Sequence, residues 1–416
     1  MKDKSNGSSA ALALALALAA WGCQERPSPA GAPAPAIAAE VVIVDPPANP
    51  GSLAPELAGG DDLWLTWLEP TTEPPGHALR IARRRGESWS EPRTAAAGGR
   101  FFANWADRPA AVAAADGTLL VHWLEKLDGG TYDYGVELAR SSDGGLTWEP
   151  LGLLHDDDTP AEHGFVSYVA GEDGVDAFWL DGRAMPAGGA MQLRTARLEA
   201  AAAYRPAAST VLDEAVCECC ATDAALTGAG PVVVYRDRSA GEVRDVAVVR
   251  RDGEGWSAPR LVASDGWKIH GCPVNGPAVA ARGESVAVAW FTGADLTARV
   301  RVAFSDDAGA TFGPPVEVDG DGPVGRVDVV LDDAGSALVS WLGVRGNAGE
   351  IRWRRVSPSG AAGAPQTLVT TTTQRSAGVP RLARHRGRAV LAWVDDGEPG
   401  RVRAAQLSLT KKSRRD

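Results

Sequence analysis

Val286-Ala287-Val288-Ala289-Trp290, then Ala337-Leu338-Val339-Ser340-Trp341, then Ala389-Val390-Leu391-Ala392-Trp393: three short apolar runs, each closed by Trp, decide how this chain folds. Four more precede them, at Leu63 to Trp67, Leu119 to Trp123, Val175 to Trp179 and Val232 to Tyr235. The closing aromatics stand 56, 56, 56, 55, 51 and 52 residues apart. Each run has the length of a strand. A period this even marks one supersecondary unit that buries its faces only against copies of itself. Upstream of each run lies a small apolar strand, often opened by Pro, as in Pro109-Ala110-Ala111-Val112, Pro277-Ala278-Val279-Ala280 and Pro380-Arg381-Leu382-Ala383. Small side chains suit an inner strand crowded against a central axis.

Downstream comes an alternating strand such as Val300-Arg301-Val302-Ala303-Phe304, then a turn and an outer strand. Four strands per copy make a propeller blade. The sequence therefore predicts an all-β propeller of seven four-stranded blades, six being the alternative count. The last copy shows three strands, and an unpaired strand, Ala38 to Val44, precedes the first. An open ring would leave bare sheet edges. Pairing of Ala38 to Val44 with residues near Val402 to Leu407 would complete the last blade and close the ring.

The ends read differently. Lys2 and Lys4 precede an unbroken Ala/Leu run, Ala10 to Ala20, well short of the ~20 residues a spanning helix needs but fitting a secretory signal. It ends in Ala20-Trp21-Gly22-Cys23, which resembles the lipobox of bacterial lipoproteins, with Trp21 the one departure. An ordinary secretory signal is the alternative. The resemblance implies lipidation of Cys23, and Gln24 after it implies an outer-membrane location in the cell envelope. The expected organisation is a signal peptide at 1–22, a Pro/Ala-rich tether at 23–36, the propeller at 37–410 and a basic tail at 411–416. Membrane contact is expected through the lipid anchor only. The net charge of -11 repels polyanions and excludes nucleic acid as a partner. A monomer is expected.

Ser141-Ser142-Asp143-Gly144-Gly145-Leu146-Thr147-Trp148 fits the pattern S-x-D-x-G-x-T-W throughout, and Ser305 to Phe312 fits it with Phe for Trp. Degenerate versions lie at Gly86 to Trp89 and Gly253 to Trp256. On these motifs the chain resembles the sialidase-like, BNR-repeat (Asp-box) propellers. In that family the box is structural and lies away from the active site, so Asp143 and Asp307 are assigned no chemistry. Sialidases use a Tyr nucleophile from a late blade, an Asp acid/base and an arginine triad. Here no Tyr follows Tyr235, and Arg80-Ile81-Ala82 is a poor substitute for the family's early arginine motif. The resemblance therefore implies the fold more than the activity.

In a propeller, the loops leading into the inner strands share a face with the loops that follow the aromatic strands. Three consecutive leading loops are rich in metal-capable groups. These are His155-Asp156-Asp157-Asp158 with Glu162-His163, Cys217-Glu218-Cys219-Cys220, and His270-Gly271-Cys272-Pro273. Two readings stand for Cys217, Cys219, Cys220 and Cys272. An oxidising envelope favours disulfides, with a bridge from the Cys217–Cys220 loop to Cys272. Alternatively, the thiolates with His163 or His270 would hold copper or zinc; otherwise no cofactor is expected. The same face should carry Arg108, Arg183, Arg236 and Arg326 as forks for an anionic or sugar-like ligand, with Asn275 and Asp328 beside them. Inter-blade ion pairing is the plainer alternative for about half of such residues. The expected function is binding of a glycan or an envelope protein at this cysteine-rimmed face. The alternative is a glycoside hydrolase using Asp181 or Asp237 in place of a Tyr.

Overall fold

The computed structural model describes residues 40–60 and 62–408. The signal peptide, Cys23 with its tether, and the basic tail lie outside the described residues. Seven antiparallel sheets stand in a ring. Their inner strands are Leu53–Ala58, Ala111–Ala113, His163–Ala170, Asp223–Thr227, Ala278–Arg282, Pro323–Leu331 and Arg381–His385, which open blades 1 to 7. In blades 1 and 4 the outer strand is broken in two, Ser88–Trp89 with Arg93–Gly98 and Gly255–Trp256 with Arg260–Leu261. Blade 7 takes its outer strand from the start of the fold. Val41–Ile43 pairs antiparallel with Val402–Ser408, setting Val41 opposite Leu407 and Ile43 opposite Ala405. The ring thus has seven blades and is closed by the strand that the sequence left unpaired.

The periodic aromatics explain how blades adhere. Trp67, Trp179, Trp290, Trp341 and Trp393 are fully buried, each a large apolar body carrying one N–H that needs an acceptor in the interior. In blades 1 to 3 the acceptor stands two residues on: Trp67 donates to Glu69 at 2.8 Å, Trp123 to Glu125 at 2.9 Å and Trp179 to Asp181 at 2.8 Å. In blades 4 to 6 it comes from the outer edge of the preceding blade. Tyr235 donates to Asp213 at 2.5 Å, Trp290 to Asp265 at 2.6 Å and Trp341 to Asp319 at 2.7 Å. In blades 4 to 6 the same group that packs the interface therefore also hydrogen-bonds across it.

A second set of acids pins the inner ring. Asp107 accepts the backbone N–H of Phe165 at 2.8 Å, Asp223 that of Val279 at 2.8 Å, and Asp328 that of Leu382 at 2.7 Å. These bonds run from blades 2, 4 and 6 to blades 3, 5 and 7. Asp143 and Asp307 sit far from this ring and close turns. Asp143 accepts the N–H groups of Leu146 and Thr147 at 2.9 and 3.0 Å and the Thr147 hydroxyl at 2.6 Å. Gly144 and Gly145 take φ of 72° and 86° there, conformations that favour Gly.

Candidate functional site

The loop face is built largely by arginines that hold loops together. Peptide groups outside the strand ladders still need partners, and a guanidinium fork can serve several carbonyls at once. Arg236 is buried and donates to the carbonyls of Asn275, Phe291 and Arg244. Arg326 donates to the carbonyls of Gln374, Gly378 and Thr373. Arg108 pairs with Glu56 at 2.9 Å and also donates to the Ala106 carbonyl. Arg183 grips Asp181 through two nitrogens at 2.8 Å and also reaches Asp156 and Asp157. Asn275 accepts the Arg326 N–H at 2.7 Å and donates to the Pro273 and Val324 carbonyls. Asp328 accepts two backbone N–H groups and faces Arg381 at 3.2 Å. The structure therefore brings the four arginines and Asn275 to the face, each bound to internal partners, while Asp328 lies within the inner strand of blade 6, along the axial channel.

The two candidate catalytic carboxylates are also occupied. Asp181 is fully buried beneath Trp179 and Arg183, which leaves no path for a substrate. Asp237 is half-buried, accepts the N–H of Arg238 at 2.7 Å, and is pushed up by burial and by Asp213 and Asp245 nearby.

One acid cluster involves a residue that sequence reasoning passed over. Tyr134, on the third strand of blade 2, places its hydroxyl 2.9 Å from Asp107 and 2.8 Å from Glu162. Burial pushes both carboxyls up to about 7. The resemblance directs attention to late blades, whereas this Tyr lies early. A weak signal was available: Asp107 and Glu162 stand in the leading loops of adjacent blades.

The cysteines separate. Cys217, Cys219 and Cys220 cluster with their sulfurs all within 4.8 Å, Cys217 being 3.2 Å from Cys220 and 4.0 Å from Cys219. Hydrogen bonds from Cys219 and Cys220 hold the Cys217 thiol well below its usual range, and Arg244 donates to its sulfur at 3.2 Å. Burial pushes Cys220 up. Such a thiol triad suits a soft ion or closure of the Cys217–Cys220 pair. The expected bridge to Cys272 is not formed. All four cysteines are free, and Cys272 is exposed while Cys217 and Cys220 are buried. Sequence places these loops on one face but not at one depth. His270 is likewise exposed, and His163 lies against His155 rather than with the thiols.

Several open spaces remain, among them one of about 570 Å³ between the outer parts of blades 3 and 4. The axial channel is widest towards the opposite face, about 590 Å³, where Asp223, Asp328 and Arg381 line it. On the loop face it narrows to about 20 Å³ between Arg108, Phe165, Cys219, Arg326 and Arg381. The larger space on the loop face is a groove of about 490 Å³ at the seam of blades 7 and 1. Trp105 lines it, half-buried, its ring backed by the Arg326 guanidinium at 4.5 Å. Ser52, Gln374, Ser376, Asp395, Asp396 and Glu398 supply its polar rim.

The class these features define is a seven-bladed β-propeller. No family model and no curated protein matches the chain. Among solved structures it is similar to a protein of unknown function from Dyadobacter fermentans, at 13% identity over 89% of this chain and 98% of that one, with a TM-score of 0.53. It is also similar to an ulvan lyase of a new polysaccharide lyase family, at 12% identity over 84% of this chain and 92% of that one, with a TM-score of 0.54. That lyase is also known bound to -[GlcA(1-4)Rha3S]-. At these identities the likeness is one of fold.

Proposed function

We propose that this protein is a lipid-anchored, monomeric propeller of the cell envelope that binds a glycan in the seam groove of its loop face. The observation that carries this reading is Trp105 on the wall of a 490 Å³ groove rimmed by hydroxyl, amide and carboxylate groups. A sugar ring offers an apolar C–H face to an indole and hydroxyls to such a rim, and ligand sites commonly join an aromatic wall to a few placed polar groups. The fold neighbour that acts on a polysaccharide agrees only in binding carbohydrate, since its bound ligand is a sulfated uronate. The rim differs from the anion fork that the arginines led us to expect. Asp395, Asp396 and Glu398 are acidic, and the nearby Arg326 is engaged by carbonyls. Electrostatic complementarity therefore selects neutral or amino sugars over uronates and sulfated sugars. The hydrolase reading loses support because Asp181 is buried under its partners.

The test is calorimetric titration of the purified protein with neutral, amino and acidic oligosaccharides. Binding of a neutral or amino sugar that falls about tenfold or more in Trp105→Ala is expected, given what an aromatic contact contributes. Binding confined to acidic sugars, or binding indifferent to Trp105→Ala, would remove the groove from consideration.

A further inference from the structure

The loop leading into blade 3 carries a cluster separate from both the thiols and the groove. His155 and His163 stack ring on ring, with centroids 3.9 Å apart and planes at 11°. Nδ1 of His155 donates to the Asp157 carbonyl at 2.8 Å, and Nδ1 of His163 donates to the Ala161 carbonyl at 3.1 Å. A carbonyl only accepts, so each Nδ1 carries the ring proton and each Nε2 presents a lone pair. His163 is fully buried and His155 is 4% exposed. Neither Nε2 has a hydrogen-bond partner. Buried polar atoms are seldom left so, and each such case calls for an explanation.

What faces them is negative. His163 Nε2 stands 3.6 Å from an oxygen of Asp157 and 3.6 Å from one of Asp181. Lone pairs thus meet lone pairs in an interior, where a positive centre between them would be strongly favoured. A proton on Nε2 would call for N–H···O contacts of about 2.7–3.2 Å, shorter than those seen. Two ligands each about 2.0–2.1 Å from a tetrahedral ion stand about 3.3 Å apart, nearer the observed spacing. The wider charge balance agrees. Asp156, Asp157 and Asp181 pair directly with Arg183, and Arg194 stands close enough to interact with all three, so three carboxylates face two guanidinium groups beside two neutral imidazoles, a surplus of one negative charge. Gly135 is what lets the His155 ring lie here: a Cβ on it would stand 2.9 Å from His155 Nε2.

We infer that His155 Nε2, His163 Nε2 and the Asp157 carboxylate bind a divalent transition-metal ion, with Asp181 as a further oxygen donor. The three named side chains present ligand atoms all within 4.8 Å of one another, and binding a shared ion would draw them in towards about 3.3 Å. Two imidazoles with carboxylate suit zinc, and the Nδ1-to-carbonyl bonds are the outer contacts that orient metal-bound histidines. The ion would tie the leading loop of blade 3 to the end of that blade's second strand.

The test uses purified protein carrying Cys217→Ser, Cys219→Ser, Cys220→Ser and Cys272→Ser, so that none of the four propeller thiols competes. After dialysis against a chelator it is titrated with Co²⁺ and followed by visible absorption. The expected result is one equivalent bound, with ligand-field bands and no sulfur charge-transfer band, and a melting temperature raised by Zn²⁺. His155→Ala and Asp157→Asn should each weaken binding at least tenfold and abolish the Zn²⁺ shift. His163→Ala should do the same; because that side chain is fully buried and its loss could unfold the loop, the other two variants decide. Absence of a stoichiometric Co²⁺ spectrum in folded protein, or titrations unchanged by His155→Ala and Asp157→Asn, would overturn the inference and leave a proton on His163 as the positive centre.

Discussion

Tyr134 has one hydroxyl proton and two carboxylates within hydrogen-bonding distance, Asp107 at 2.9 Å and Glu162 at 2.8 Å. It can donate to only one of them, so the other carboxyl must keep its own proton and donate to the phenol oxygen. Burial, which pushes both carboxyls up to about 7, makes this the favoured state near neutrality. The sign of the consequence follows. In the unfolded chain these groups titrate near 4, and in the fold near 7. The stabilisation is therefore complete below about 4 and is lost as pH rises through 7. Melting temperatures measured from pH 5 to 8 should fall, and Asp107→Asn, which keeps an oxygen for the Phe165 N–H, should flatten that fall. Tyr134→Phe should cost about 1–3 kcal/mol in denaturant unfolding, because it strips a partner from buried acids. A melting temperature that rises over this range in the wild type would show that no proton is shared there.

At the scale of the element, the three-residue strand Val41–Ile43 does more than its length suggests. Its side chains are exposed, so it contributes little apolar burial. What it supplies is backbone pairing along Val402–Ser408, with anchors at each side. The Val44 carbonyl accepts the Trp89 indole N–H at 2.6 Å, and Asp45 meets Arg403 at 2.8 Å. Without the strand, blade 7 would end in a bare edge that templates association. A chain beginning at Asp45 should melt several degrees lower and aggregate in a concentration-dependent way, as light scattering during a thermal ramp would record. Unchanged melting and no aggregation would mean that the inter-blade aromatic and aspartate bonds alone hold the ring.

At the scale of the molecule, what was legible in the sequence was whatever repeats. Trp67, Trp123, Trp179, Trp290, Trp341 and Trp393 recur because each blade needs one large wedge, and their spacing revealed seven blades and the strand that closes them. Their acceptors were only half visible. Glu69, Glu125 and Asp181 follow their Trp by two residues, yet Asp181 reads as a candidate catalyst until its indole and guanidinium partners are seen. Asp213, Asp265 and Asp319 act across blades, at separations no local pattern reports. The partners of the arginines were not legible, since in sequence a fork that binds carbonyls resembles one that awaits an anion. The same packing bears on catalysis. A sialidase needs a reachable Tyr beside an acid and free guanidinium groups for the substrate carboxylate. The Tyr here that lies between two acids, Tyr134, is fully buried and stacked on Phe102 with centroids 4.2 Å apart. Arg108, Arg183, Arg236 and Arg326 are bound internally. The purified protein should therefore release no sialic acid from a fluorogenic sialoside. Turnover that disappears in Tyr134→Phe or Arg326→Lys would mean that the loops open further in solution than their bonds suggest, exposing a site now closed.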